Sequence, residues 1–335
     1  MRKTSILIIS VLIVFVLSAA ALTGCAPSRG TEPVIETRLL LDTYCTITVY
    51  GANAAALLDE AFDMCAEYEA LFSITLEGSD VWRVNHAGGS PVNVAPQTAE
   101  LIRLGLEYGA YSRGLFDITI GRVSRLWDFS GDTSIPSADE LGAAVLTVDY
   151  TRVDIDGNTV SLRNPEAWID LGGIAKGYIA GKIADFLIEG GAKGAVIDLG
   201  GDVAIAGEKP DGKPWRLGVR QPYSDRGELM GVIEAGEASV VTSGIYERQF
   251  EENGVLYHHI IDPSTGFPVI TDIISATVVA SSSTAGDALS TIALLAGSEI
   301  APYLLSRAPG FTGAVLLLES GELLEIGDIN FERIG

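Results

Sequence analysis

The strongest constraint on the fold is a tetrapeptide, Asp-Leu-Gly-Gly, that occurs at residues 170–173 and again at 198–201, each time after a short apolar run. Between the two copies lies a stretch with helical periodicity that stops at a pair of glycines. Each apolar run is predicted to be a strand that ends in a carboxylate and a glycine turn, where backbone can approach a ligand closely. The predicted unit is a strand at 167–171, a helix at 174–189 and a strand at 195–199.

The rest of the chain contains many short alternating runs and few runs with helical spacing. Further helices are predicted at 53–72, with Asn53 as its cap, at 98–112 and at 284–295, and a polar loop at 130–138. Further strands are predicted at 39–50, 145–148, 152–155, 159–162, 215–220, 230–233, 238–242, 256–261, 275–280, 314–318 and 322–326. Because strands outnumber helices in an irregular order, we expect an α+β fold with mixed or antiparallel sheets and packed helices.

The N-terminus has the pattern of a lipoprotein signal peptide. A short basic start and an apolar run at 6–17 precede Leu-Thr-Gly-Cys, which matches a lipobox ending at Cys25. We predict a leader at 1–24, lipidation of Cys25, a flexible tether at 25–34 and one domain at 35–335. The protein is then extracytoplasmic and lipid-anchored to the cell membrane, on its periplasmic side or outer face. An uncleaved membrane anchor is the alternative.

The chain is strongly acidic, with 44 Asp and Glu against 22 Lys and Arg and a formal net charge of −22. Such a surface repels nucleic acid and anionic headgroups, so neither is an expected partner. A phosphate ligand needs local compensation from a metal, a lysine or backbone N–H groups. The sequence has no Cys/His cluster with zinc spacing, and Cys45 and Cys65 are interpreted as buried thiols, with a disulfide as the open alternative.

The first candidate site is the run from Asp170 to Tyr178, in which Lys176 lies within the first helical turn. Free N–H groups, the helix dipole and the ammonium all favour an anion here. The run is neither a Walker A loop nor a Rossmann fingerprint. An ordinary strand–turn–helix with a surface lysine remains the alternative.

The second candidate site is the start of the helix near residue 285. Asp287 and Thr291 are four residues apart and share a helix face, an arrangement that suits a hard cation such as Mg²⁺. The alternative is an acid that favours the helix dipole, with Thr291 bonded to its own turn.

Two further segments carry candidate residues. His258 and His259 precede an Asp-Pro-Ser-Thr-Gly turn, and histidine is well suited to proton transfer near neutral pH; a structural pair is the alternative. The turn at 112–119 carries Phe116 and Asp117, where the aromatic ring either stacks on a flavin or adenine or belongs to the core.

In their order along the chain and in their residues, these segments resemble the ApbE family, the FAD:protein FMN transferases, over nearly the whole chain after the leader. The resemblance lies in Ser-x-Gly-x-Phe-Asp-x-Thr at 112–119, Asp-Leu-Gly-Gly-Ile-Ala-Lys-Gly-Tyr at 170–178, Leu-Gly-Gly-Asp at 199–202, Thr-Ser-Gly-x-Tyr-Glu-Arg at 242–248, His-His-Ile-Ile-Asp-Pro-x-Thr-Gly at 258–266 and Asp-Ala-Leu-Ser-Thr at 287–291. It implies a two-lobed fold with the FAD site between the lobes.

The resemblance also implies roles for individual residues. The residues implied to bind FAD are Leu41, Thr75, Leu115, Phe116, Asp117, Asp170, Lys176 and His259. Those implied to surround Mg²⁺ are Gly173, through its carbonyl, Asp287 and Thr291. Three positions depart from the family pattern: Leu41-Asp42-Thr43 stands in place of the family's Met-Gly-Thr, Thr75 stands in place of a stacking tyrosine, and Ser290 replaces a second metal-site aspartate of some members.

The implied activity is Mg²⁺-dependent transfer of FMN from FAD to a threonine hydroxyl of another protein, with release of AMP. His259, Asp287 and Lys176 are the candidate catalytic residues, with His259 taking the hydroxyl proton and Asp262 as a weaker alternative. The implied acceptor is an electron-transport subunit or an extracytoplasmic reductase. Two other functions stay open: a Mg²⁺-dependent FAD pyrophosphatase that gives FMN and AMP, and a non-catalytic FAD-binding lipoprotein.

Overall fold

The computed structural model describes residues 32–129, 133–224 and 227–334. The leader, Cys25 and most of the tether lie outside the described residues, as do residues 130–132 of the polar loop.

The described residues form sixteen strands, seven α-helices and one 3₁₀ turn at Tyr150–Arg152. The helices are α1 (Ala54–Phe72), α2 (Asp80–Asn85), α3 (Pro96–Ser112), α4 (Gly121–Ser124), α5 (Ala138–Val145), α6 (Ala175–Glu189) and α7 (Ser283–Leu305). The strands are β1 (Val34–Leu40), β2 (Thr43–Tyr50), β3 (Val92–Asn93), β4 (Val153–Asp156), β5 (Thr159–Leu162), β6 (Gly194–Leu199), β7 (Asp202–Gly207), β8 (Trp215–Arg220), β9 (Leu229–Ala235), β10 (Ala238–Gly244), β11 (Gln249–Glu252), β12 (Val255–His258), β13 (Ile273–Ala280), β14 (Phe311–Leu318), β15 (Leu323–Gly327) and β16 (Phe331–Arg333).

The main sheet has eight strands in the order β1-β2-β6-β7-β10-β13-β14-β15, and all neighbours are antiparallel. Helices α1, α6 and α7 pack against one face. The sheet β16-β9-β8 packs on the opposite face through a smaller apolar cluster that includes Met230 and Ile233 against Val240, Val279 and Val315. The α+β prediction is therefore confirmed; hairpins form three of the pairs in the main sheet, β1-β2, β6-β7 and β14-β15, and the other pairs join strands distant in the chain.

Helix α7 is the central helix of the core. By length and hydropathy it is apolar enough to cross a membrane. Its apolar side chains, including Leu289 and Ile292, are instead buried against β10, β13 and α6. The helix is kinked at Gly297, where φ is 71° and ψ is 168°, which explains why helical spacing predicted an end near residue 295.

The prediction of one strand at 39–50 is wrong, because a two-residue turn divides it into β1 and β2. Leu41 and Asp42 both have a φ of 55°, as a type I′ hairpin turn requires. The sequence has no glycine or Asn-Gly pair here, so the alternation of apolar residues predicts one continuous strand across the turn. A left-handed leucine is strained by about 1 kcal/mol.

The prediction of a strand at 167–171 is also wrong. The segment is extended and buried, but its one bridge in the described chain joins Trp168 to Ile120. The Asn85 side chain takes the place of a neighbouring strand: its Oδ1 accepts from Ile169 N at 2.7 Å and its Nδ2 donates to Ile169 O at 2.8 Å. An apolar run with satisfied backbone groups looks like a strand in sequence whichever group satisfies it.

The predicted strand at 145–148 is wrong because α5 occupies residues up to Val145. Its start is a capping box between Ser137 and Glu140, inside the segment predicted as loop. Asn53 precedes α1 as expected, but its side chain makes no cap hydrogen bond. Cys45 and Cys65 are buried, free thiols.

Candidate functional site

The N-terminal ends of α6 and α7 meet at Gly177. The Gly177 N–H, in the first turn of α6, donates to Asp287 Oδ2 at 2.9 Å, and Asp287 lies in the second turn of α7. A Cβ on Gly177 would overlap the Ser283 carbonyl oxygen and would lie 2.7 Å from Asp287 Cβ. Glycine is therefore required for this close approach, which brings the positive ends of two helix dipoles to one place.

Lys176 forms an ion pair with Asp202, the first residue of β7. The Asp202 side chain is 2% exposed, whereas the Lys176 side chain is 32% exposed and reaches the surface. We call Lys176, Gly177, Asp202 and Asp287 the helix-junction site. Sequence reasoning did not single out Asp202, although the acid directly after the second Asp-Leu-Gly-Gly was a usable signal.

The charges of the helix-junction site affect one another. Burial and, to a smaller extent, the nearby Asp287 carboxylate together raise the pKa of Asp202 to about 7 against the opposing effect of Lys176. Burial alone would lower the pKa of Lys176, but Asp202 and Asp287 outweigh burial, so this pKa lies above its ordinary value. The lysine is therefore a cation held between two carboxylates.

The other two residues of the implied metal set lie near each other. A Cβ on Gly173 would be 4.0 Å from Thr291 Oγ1 and 3.0 Å from the Phe116 ring, and Thr291 lies one helical turn after Asp287. Ser290 is fully buried and donates to Asp287 O at 2.9 Å while it contacts Ser243 Oγ at 2.7 Å. Within the described residues, no group of three or more His, Cys, Asp or Glu side chains is arranged around a metal position.

Asp117 organises the turn that carries Leu115 and Phe116. Its carboxylate accepts from Thr119 N at 2.8 Å, from Thr119 Oγ1 at 2.6 Å and from Tyr150 N at 3.0 Å. Burial nevertheless raises the pKa of Asp117. Phe116 is buried with its ring against Gly173, and Leu115 is half-buried beside it.

Asp170 fixes the turn that leads into α6. Its Oδ1 accepts from Gly172 N at 2.9 Å and its Oδ2 accepts from Ser124 Oγ at 2.6 Å. These two hydrogen bonds therefore hold the turn that precedes Gly173 and Lys176 in one conformation.

His259 lies at the end of β12, with Nδ1 3.3 Å from the Arg248 carbonyl oxygen. A carbonyl only accepts, so Nδ1 carries the hydrogen and Nε2 keeps the lone pair. Burial lowers the pKa of His259 to about 4, and the charges of Arg248, His258 and Lys176 contribute in the same direction. The imidazole is thus neutral at pH 7. His258, 5% exposed, has its pKa lowered to about 4 by burial.

Leu41 and Thr75 differ in their relation to this region. Leu41 is half-buried in the β1–β2 turn, next to Thr43, on which the Gly200 turn packs. Thr75 is exposed after α1, and its described hydrogen bonds run to Ser73. The structure therefore brings Leu41 towards the Asp202 turn, but no described contact joins Thr75 to the helix-junction site.

A separate cavity of about 590 Å³ lies along α6 beyond Gly177 and shares no lining residue with the helix-junction site. Residues of α3, α6 and the start of α7 form its wall, including Tyr108, Tyr111, Tyr178 and Lys182.

A family model described as the ApbE family matches residues 41–316. The FAD:protein FMN transferase of Treponema pallidum is 33% identical over 308 residues, which cover 86% of this chain and 85% of that protein. A FAD:protein FMN transferase of Klebsiella pneumoniae is 35% identical over 249 residues, which cover 73% of this chain and 77% of the relative.

Solved structures agree with these relatives. The crystal structure of the ApbE protein from Thermotoga maritima superposes with a TM-score of 0.81 at 32% identity and covers 88% of this chain and 97% of its own. The flavin transferase ApbE from Vibrio cholerae gives a TM-score of 0.77 at 27% identity and covers 88% and 96%.

Proposed function

This chain belongs to the ApbE family and is an FAD:protein FMN transferase, and we propose that it transfers FMN to a threonine of another protein with Mg²⁺ bound at the helix-junction site. The observation that carries this proposal is the meeting of two helix N-termini, Lys176 and the buried Asp287 in a chain with a net charge of −22. A diphosphate needs this kind of local compensation on such an acidic protein.

The residues present suit a hard cation. Asp202 Oδ1 is buried without a hydrogen-bond partner among the described residues, and the Asp287 carboxylate faces the same carboxyl group. A buried carboxylate oxygen with no donor is unfavourable unless a cation or water satisfies it. Asp287, Thr291 and the Gly173 carbonyl would hold Mg²⁺, which prefers oxygen ligands and keeps several waters.

The reaction joins an acceptor hydroxyl to the FMN phosphorus and breaks the bond between that phosphorus and the oxygen of AMP. Mg²⁺ would offset the negative charge that develops on the diphosphate. The Lys176 ammonium and the positive end of the α6 dipole stabilise the same charge. The neutral His259 accepts the hydroxyl proton at Nε2, because its Nδ1 hydrogen is directed to the Arg248 carbonyl.

The acceptor is a separate protein that carries the threonine, such as an electron-transport subunit or an extracytoplasmic reductase. FAD and Mg²⁺ with no acceptor measure the competing attack by water, which yields FMN and AMP. A flavin-labelled acceptor whose mass rises by one FMN unit, less water, supports transfer. Release of FMN in place of labelling would favour the pyrophosphatase.

We also propose that Cys25 carries a lipid that anchors the protein on the extracytoplasmic side of the membrane. The support is the Leu-Thr-Gly-Cys sequence after an apolar leader. Substitution Cys25→Ala is expected to abolish labelling by radioactive palmitate; retained labelling contradicts the proposal.

Asp287→Asn tests the metal assignment without removing the acceptor of the Gly177 hydrogen bond. We expect FMN transfer to fall by about 100-fold or more, because the charged ligand that would hold the Mg²⁺ near the reacting phosphate is lost. The Mg²⁺ concentration for half-maximal rate should rise with it.

Asp80→Asn is the matched control. Asp80 is also a buried aspartate, bonded to Ala95 N, Thr98 Oγ1 and Arg83 in a different part of the protein. It should lower thermal stability and leave the Mg²⁺ dependence unchanged. Unaltered transfer and Mg²⁺ dependence in a folded Asp287→Asn protein would refute the assignment.

A further inference from the structure

We propose that Asp202 is a positioning residue that holds the Lys176 ammonium in the orientation that receives the FAD diphosphate. This inference rests on the proposed function, in which Lys176 contacts that diphosphate. The two residues lie 26 positions apart on different elements, and their ion pair is the direct side-chain link between the start of α6 and the start of β7.

The backbone fixes Asp202 independently of Lys176. Gly200 and Gly201 precede it with φ angles of 72° and 99°, and a Cβ on Gly200 would overlap the Thr43 side chain. Gly201 N donates to Asp198 Oδ1 at 2.9 Å, and Thr242 N donates to Gly201 O at 3.1 Å. Asp202 also pairs with Val241 in the sheet. The backbone of Asp202 is therefore held in place without Lys176, and its carboxylate is enclosed, with 2% of the side chain exposed.

Lys176 is the adjustable partner of the pair. Its four-carbon chain starts from the first turn of α6 and reaches across to β7, with 32% of the side chain exposed. A long flexible side chain loses its orientation when nothing anchors its head group. Without Asp202, the nearest other carboxylate is that of Asp287, and the ammonium would move to the residue assigned to the metal.

A substitution at Asp202 separates positioning from simple charge neutralisation by the sign of its effect. If Asp202 merely cancels the charge of Lys176, Asp202→Asn removes a negative charge near the anionic ligand and FAD binds more tightly. If Asp202 positions Lys176, the same substitution weakens FAD binding, because the ammonium is no longer held in place.

The test is a double-mutant cycle on FAD affinity, measured by quenching of flavin fluorescence in chelator, so that neither turnover nor metal contributes. Lys176→Gln keeps a donor for Asp202 without the charge. We expect each single variant to raise Kd about tenfold, and the double variant to bind no more weakly than Lys176→Gln alone. Asp80→Asn, a buried aspartate bonded to Ala95 N, Thr98 Oγ1 and Arg83 and not to Lys176, is the control and should leave Kd within about twofold.

The outcomes distinguish the positioning role of Asp202 from the contact between Lys176 and the diphosphate. Tighter or unchanged binding by Asp202→Asn overturns the positioning role, and so does a double variant whose effect is the product of the single effects. An unchanged Kd for Lys176→Gln overturns instead the contact between Lys176 and the diphosphate. If Asp202→Asn does not fold, Asp202→Glu, which keeps the charge but displaces it by one methylene, enters the same cycle with the same expectations.

Discussion

The two copies of Asp-Leu-Gly-Gly have the same sequence and form different structures. In the copy at 170–173, Asp170 Oδ1 accepts from Gly172 N at 2.9 Å and the chain continues into α6. In the copy at 198–201, Asp198 Oδ1 accepts from Gly201 N at 2.9 Å, both glycines have positive φ, and the chain turns back as β7. The tetrapeptide specifies a carboxylate-stabilised turn, and the residues that follow it decide between helix and hairpin.

The difference matters because each copy delivers one partner of a single ion pair. The helix that follows the first copy carries Lys176, and the hairpin that follows the second begins with Asp202. Lys176, in the first turn of a helix, contributes a cation on a long side chain, whereas Asp202, at the start of a strand, contributes an anion on a short one. One motif used twice therefore places complementary charges at one site.

The largest expected effect is that of Gly177→Ala, in the helix that follows the first copy. The added methyl would overlap the Ser283 carbonyl oxygen and separate α6 from α7, with a loss of about 3 kcal/mol in the free energy of unfolding. Gly181→Ala is the control, since the nearest atom to its added methyl would be Ser283 Cβ at 4.0 Å. Urea unfolding of both variants measures the difference, and equal stabilities would show that the helix junction is not tightly packed.

A smaller effect is expected from the glycines of the two copies themselves. Gly200→Ala places a side chain at a φ of 72° and against Thr43, so it should lower the free energy of unfolding by about 2 kcal/mol. Gly172→Ala, whose φ is not in the left-handed region and whose Cβ would meet only Asp170 Oδ1 at 3.1 Å, should cost less than about 1 kcal/mol. Thermal unfolding of both variants tests this difference, and equal melting temperatures would contradict it.

The smallest effect is expected from the two carboxylates. Asp170→Asn and Asp198→Asn each weaken one bond to a glycine N–H, with an expected loss of about 1 kcal/mol in either case. Calorimetric titration with FAD should distinguish them, because only Asp170 belongs to the implied FAD site. A weaker FAD affinity in Asp198→Asn than in Asp170→Asn would reverse the assignment of the two copies.

Local patterns predicted the parts of the fold that local interactions determine. The helix expected at 174–189 is α6 to within one residue, and the strand expected at 195–199 is β6. The errors at 39–50 and 167–171 have a different origin. A turn without glycine at Leu41 and an amide from Asn85 both depend on contacts that sequence spacing does not reveal.

The residues of the candidate site likewise fall into those that local patterns predict and those that depend on tertiary contacts. Lys176 and Asp287 were singled out because helix starts favour such residues, and the structure brings them together through Gly177. Asp202 was missed because its importance comes from the pairing of β7 with β10 and from the hairpin that turns it towards α6. The roles of the implied FAD and metal residues remain predictions for the experiments above.

The amide of Asn85 has one more consequence. Because a single side chain, and not an adjoining strand, holds both backbone groups of Ile169, the backbone just before Asp170 depends on one amide in α2 and not on the eight-stranded sheet. The helix that follows packs on β6 and β7, so Lys176 and Asp202 share the support of that sheet. The entry to α6 is therefore held from one side by α2 and from the other by the sheet.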